Sequence, residues 1–133
     1  MKAVFRHVSS SESLSATESR FAFPNNYRFV EGASYEVHAV SVFNGIVFLL
    51  VVDEDNLPIF RPRVLFEVID QTIPQDWVCG VFNGDPQLVA GPPFIASSMD
   101  AYESMIDRCR ATVDRFHDRA EAIASSDRAE RDV

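Results

Sequence analysis

Hydrophobic and polar positions alternate, run together and alternate again along this chain, and each pattern predicts a different element. Over residues 1–8, Ala3, Phe5 and His7 share one face and Val4, Arg6 and Val8 the other, which predicts a short strand. Residues 9–19 are serine-rich, with Leu14 as their one large apolar side chain. Such a segment buries too little surface to offset the entropy of ordering, so it predicts a mobile loop. Aromatics return at Phe21, Phe23, Tyr27 and Phe29, with Pro24-Asn25-Asn26 marking a turn. Residues 35–43 are β-rich and lead to Asn44-Gly45, the residue pair that reaches positive φ at least cost and so predicts a hairpin. The return strand, residues 46–52, is apolar at all seven positions, which predicts cover on both faces. Residues 57–62 read as an extended edge limited by Pro58 and Pro62, and residues 65–70 as a further alternating strand. Residues 77–82 and 87–90 flank Asn83-Gly84-Asp85-Pro86 as a second hairpin.

The period then changes. Apolar or small residues fall at Met99, Tyr102, Ile106, Cys109, Val113, Phe116, Ala120 and Ile123, with spacings of 3, 4, 3, 4, 3, 4 and 3. This predicts one helix over residues 98–123, opened by the Ser98 hydroxyl as cap and Asp100 near the positive end of the dipole. Residues 125–133 are polar and predict a frayed tail. The stripe could pack across the sheet and close its core, or form a coiled-coil seam between two copies. Small residues at seam positions and the lack of leucine favour the first reading, and with it a monomer.

Five or six short strands over residues 27–90, followed by a helix, predict one α+β domain spanning residues 1–124. The expected architecture is a small SH3-like antiparallel β-barrel, or a strongly bent sheet, packed against one long C-terminal helix. With 133 residues, 47% of them hydrophobic, the chain has material for a core without metal or disulfide. Its longest near-continuous apolar run is far shorter than a membrane span, and the opening residues lack the pattern of an export signal. Cys79 and Cys109, thirty positions apart in different segments, predict buried free thiols rather than a disulfide. The cytoplasm is the expected location.

Charge narrows the partners. Twenty acidic residues against twelve basic ones give a net charge of −8, with Lys2 the sole lysine, which disfavours a nucleic-acid reader. No nucleophile elbow, P-loop, dinucleotide fingerprint or C-x-x-C motif occurs, and His7, His38 and His117 have no metal-ligand spacing. No catalytic residue, cofactor or metal is therefore expected. The run Asp53-Glu54-Asp55 lacks the spacing of a calcium loop. It reads either as a solvated turn or, with Asp76 and Asp85, as an acidic rim that steers a basic partner.

The segments Gly32 to Val40, Asn44-Gly45, Asp53-Glu54-Asp55, Pro62 to Asp70 and Ile73 to Trp77 resemble a group of small bacterial proteins. Some of these are similar to immunity proteins encoded beside polymorphic toxins. The resemblance implies a protein that acts by binding, occluding a cognate toxin or effector whose surface is basic. The candidate partner-binding residues are then Asp53, Glu54, Asp55, Asp76 and Asp85 as the rim, with Phe60, Trp77 and Tyr27 as aromatic anchors. Two alternatives belong to other classes. One is a phage-type inhibitor or nucleic-acid mimic of a DNA-binding enzyme, which needs its carboxylates on one face. The other is a small ligand-binding or enzymatic barrel, with Tyr35, His38, Arg61 and Arg63 around a pocket.

Overall fold

The structure, a computed structural model, describes residues 1–6 and 28–131, with side chains as far as residue 126. The serine-rich loop, the Pro24 turn, His7 and Tyr27 lie outside the described residues. Eight strands are described: β1 (Lys2–Phe5), β2 (Ser34–Glu36), β3 (Ala39–Phe43), β4 (Ile46–Val52), β5 (Pro58–Pro62), β6 (Phe66–Asp70), β7 (Val78–Val81) and β8 (Leu88–Gly91). The helices that follow are α1 (Pro93–Ala96), α2 (Met99–Ile106) and α3 (Arg110–Arg131).

The fold is α+β, and among the described residues the strands form two open antiparallel sheets and close no barrel. One sheet has the order β2-β1-β6 and the other β5-β4-β3-β8-β7. No SH3-like closure is seen among the described residues: the continuous strand expected over residues 35–43 breaks at Val37 and His38. Its first part pairs with β1 and its second with β4 and β8, so the ladder is shared between two sheets.

Three layers result. On one face of the five-stranded sheet, Leu49 and Val51 pack with Ala3, Phe5, Val37, Leu65 and Phe66 beneath the three-stranded sheet. On the other face, Ala39, Leu50 and Val89 meet Ile95, Tyr102, Met105 and Phe116 from the helices. Strand β4 is thus buried on both sides, as its unbroken apolar sequence predicts. The Asn44-Gly45 turn takes positive φ at both residues, 51° and 75°, as a type I′ hairpin requires.

The helical region corrects the expectation of a single rod over residues 98–123. Ser98 caps α2 as predicted, its hydroxyl accepting from the Ala101 amide at 3.1 Å. The helix then stops at Asp107-Arg108-Cys109. The Cys109 amide donates to the Ser104 carbonyl at 2.9 Å and the Arg108 amide to the Met105 carbonyl at 3.1 Å, while Arg108 takes φ 52°. This is a Schellman closure with arginine where glycine is usual. Helix α3 continues to Arg131, through most of the segment predicted as a frayed tail. The break also turns Ile106 and Cys109 outward, although the stripe predicts them inside.

Candidate functional site

The candidate rim residues fall at the margins of the five-stranded sheet, in two groups. Asp53, Glu54 and Asp55 make the turn between β4 and β5. Asp53 is 5% exposed and works inward: its Oδ1 accepts from the Asp55 and Leu57 amides, each at 2.9 Å. It is therefore the organiser of the turn and not part of an accessible rim. Glu54 Oε1 accepts from the Tyr35 hydroxyl at 2.6 Å, and that hydroxyl accepts from the Val30 amide at 2.8 Å. Burial, and then this bond to Glu54, raise the Tyr35 hydroxyl above its ordinary value, so it stays protonated. Asp55 faces Arg28 at 3.4 Å on the exposed surface. Phe60, on β5, points into the helical core, with its ring centroid 5.4 Å from that of Tyr102.

Asp76, Trp77 and Asp85 gather around β7 instead. Asp76 precedes the strand and holds Arg119 of α3 at 2.8 Å. Trp77 packs against the core beneath the three-stranded sheet, and its buried indole N–H meets no acceptor among the described residues. Asp85 lies in the loop after β7 and accepts from the Asn44 amide at 2.9 Å, which ties that loop to the β3–β4 hairpin. The two groups are separated by the width of the sheet, about 15 Å for the three strand spacings from β4 to β7. They do not form one continuous acidic face.

A feature that sequence reasoning missed lies between Asp76 and Asp85. Among the described residues β7 pairs only with β8, and it is the last strand of its sheet. The Phe82 amide donates to the Gln87 carbonyl at 3.0 Å. Counting back along the antiparallel ladder, the Cys79 and Val81 amides point away from β8. The side chains follow. Val81 is 77% exposed beside the half-buried Leu88 and Val42, and Cys79 is exposed beside Ala90. The expectation of buried thiols is thus overturned at both cysteines. Gly80 faces the helices, where a Cβ would stand 2.5 Å from the Ala96 carbonyl oxygen, so α1 backs the strand closely on that side. The available signal was the uncharged Val-Cys-Gly-Val sequence between two aspartates; what it lacked was the strand order that leaves it at an edge.

A cleft of about 310 Å³ opens where α3 crosses β2 and the β4–β5 turn, lined by Ser34, Tyr35, Glu36, His38, Val52, Asn56, His117, Ala120, Ile123 and Ala124. It brings together two of the four residues suggested for a pocket, Tyr35 and His38. Arg61 is buried within β5, and Arg63 is exposed in the turn after it; neither lines the cleft. His38 sits edge-on to Phe116, ring centroids 4.7 Å apart. Burial, then the nearby charge of Arg119, lowers its pKa from 6.5 to about 4, so the imidazole is neutral at pH 7. Among the described residues no cluster of three or more His, Cys, Asp or Glu side chains could hold a metal, and no helix is long and apolar enough to cross a membrane.

Compared with known protein families, with curated proteins and with solved structures, the chain matches none.

Proposed function

We propose that this chain is a binding protein of the immunity type, which neutralises a cognate bacterial toxin or effector in the cytoplasm by occluding it. The β7 edge is its docking strand. The observation that carries the reading is the open, uncharged edge of β7, with two outward amides and an exposed Val81, between the carboxylates of Asp76 and Asp85. An unpaired edge is a template for an incoming strand, whose backbone supplies affinity while adjacent side chains supply specificity. The net charge of −8 and the two flanking aspartates select a basic strand and speed its arrival. The same charges disfavour a second copy of this chain, whose aspartates would face these. The split of the carboxylates between two margins supports a docking strand over mimicry of a phosphate backbone.

The test is growth rescue from the product of the adjacent open reading frame, with binding of the purified pair measured at low and high salt. Val81→Pro removes an outward amide without removing a bond to β8. Rescue by the native chain, lost in this variant, together with salt-sensitive binding, is the expected result. Rescue unchanged in Val81→Pro would refute the docking strand, and absence of rescue and binding would refute the immunity reading.

A further inference from the structure

Two rows of side chains cross the five-stranded sheet on the face that packs beneath the three-stranded sheet. Opposite residues of an antiparallel ladder project to the same side, so the pairings define the rows. One row runs Leu49, Val40, Ala90, Cys79 and the other Val47, Val42, Leu88, Val81, each stepping from β4 through β3 and β8 to β7. Neither contains a charged residue. Leu49, 2% exposed, belongs to the core beneath the three-stranded sheet, and Val40 and Val47 pack against that core. From there the rows come out into solvent: Ala90, Val42 and Leu88 are half-buried, Cys79 is exposed and Val81 is 77% exposed. The apolar face thus runs on from the core and ends at the open edge of β7.

An added strand meets edge and face together. Cys79 and Val81 turn their backbone amides and carbonyls away from β8. In an antiparallel partner the residues directly opposite them supply the answering groups, and their side chains fall on the same face as Cys79 and Val81. Those two partner residues are separated by one position, and large apolar side chains there carry the rows one strand further, against Val81 and Leu88. The two ends of β7 differ in charge. Asp76 already holds Arg119 at 2.8 Å, whereas Asp85, the one charged residue of the loop at the other end, has no basic partner among the described residues. An antiparallel strand enters from the Asp85 end, so a cation on it belongs ahead of the apolar pair. Building on the β7 docking strand argued above, we propose that the occupant is an antiparallel segment of another protein in which a basic residue precedes two large apolar residues separated by one position. A second copy offering its own β7 brings Asp76 ahead of that strand, the opposite charge.

The probe is the blocked peptide acetyl-Lys-Ser-Phe-Thr-Val-Ser-amide, N-methylated at its threonine, whose amide faces away from β7 in this arrangement. It is titrated at low salt into the isotope-labelled full chain and followed by methyl NMR shifts, with saturable shifts expected at Val81, Leu88 and Val42. Moving the N-methyl group to the phenylalanine, whose amide faces β7, is expected to weaken binding at least about tenfold. Moving the lysine to the other end is expected to weaken it at least about threefold, and so is Val81→Thr, which keeps the edge amides. No saturable shifts, the opposite N-methyl preference, indifference to the position of the lysine, or unchanged binding in Val81→Thr would each overturn the proposal. Self-association of the chain through Val81 would overturn it too, by giving the face to a second copy. Growth rescue that is lost in Val81→Pro, without these peptide preferences, refutes this pattern and leaves the docking strand standing; the preferences without rescue refute the immunity reading alone.

Discussion

The two edges of the five-stranded sheet are finished in different ways. At β5 the strand begins and ends with proline, its turn is tied to a buried aspartate, and Phe60 reaches into the helical core. At β7 the strand has no proline and no charge, its amides at Cys79 and Val81 face outward, and its largest side chain on that side lies in solvent. Proline and inward packing are ordinary protections for an edge strand, so β5 is closed to pairing. The contrast teaches that the acidic residues nearest each edge do different work. Those at β5 hold a turn, and those at β7 border an accessible strand.

Acid should separate the two edges most strongly. The His38 pKa is about 4 in the fold against an ordinary 6.5. The unfolded chain therefore takes up the proton first, and stability falls as pH drops from about 6.5 towards 4, by about 3 kcal/mol in all. Hydrogen exchange should show α3 and the β4–β5 side loosening first, and His38→Phe should flatten the pH profile of chemical denaturation. Phe60→Ala should cost about 2–3 kcal/mol of stability, less than for a fully buried phenylalanine, whereas Val81→Thr should cost under about 0.5 kcal/mol in the same assay. Equal losses would erase the distinction between the edges.

Asp53→Ala strands the Asp55 and Leu57 amides and should cost about 1–2 kcal/mol, with faster exchange confined to the β4–β5 turn. Asp76→Ala removes only a partly exposed ion pair with Arg119 and should cost at most about 1 kcal/mol, diminishing with salt. It should weaken partner binding more than it weakens the fold.

Local chemistry accounts for what the sequence made readable. Asn44-Gly45, the proline-limited β5, the two-faced β4 and the Ser98 cap each depend on side chains within a few residues, and each occurs where its pattern lies. The failures share another cause. The 3-4 stripe continues in register across Arg108, so periodicity alone cannot show that an arginine with positive φ has ended the helix. Cys79 resembles a core position because its strand is apolar, and only the order of strands exposes it. For the candidate site, Asp76, Trp77 and Asp85 were legible as chemistry, but their relation to β7 depends on a pairing with β8. Likewise, His38 and His117 are 79 positions apart and meet at the cleft through the crossing of α3.

The brevity of β7 has a consequence for the behaviour of the chain at high concentration. Four residues span only about 13 Å, so backbone pairing there is short and the flanking charges decide which strand is accepted. A copy approaching to extend the sheet would also bring its own Asp76 and Asp85 against these, and the far margin, at β5, is closed by proline. With one short receptive side and one blocked side, stacking through these edges cannot propagate, so the protein can keep a strand open for recognition without growing into fibres.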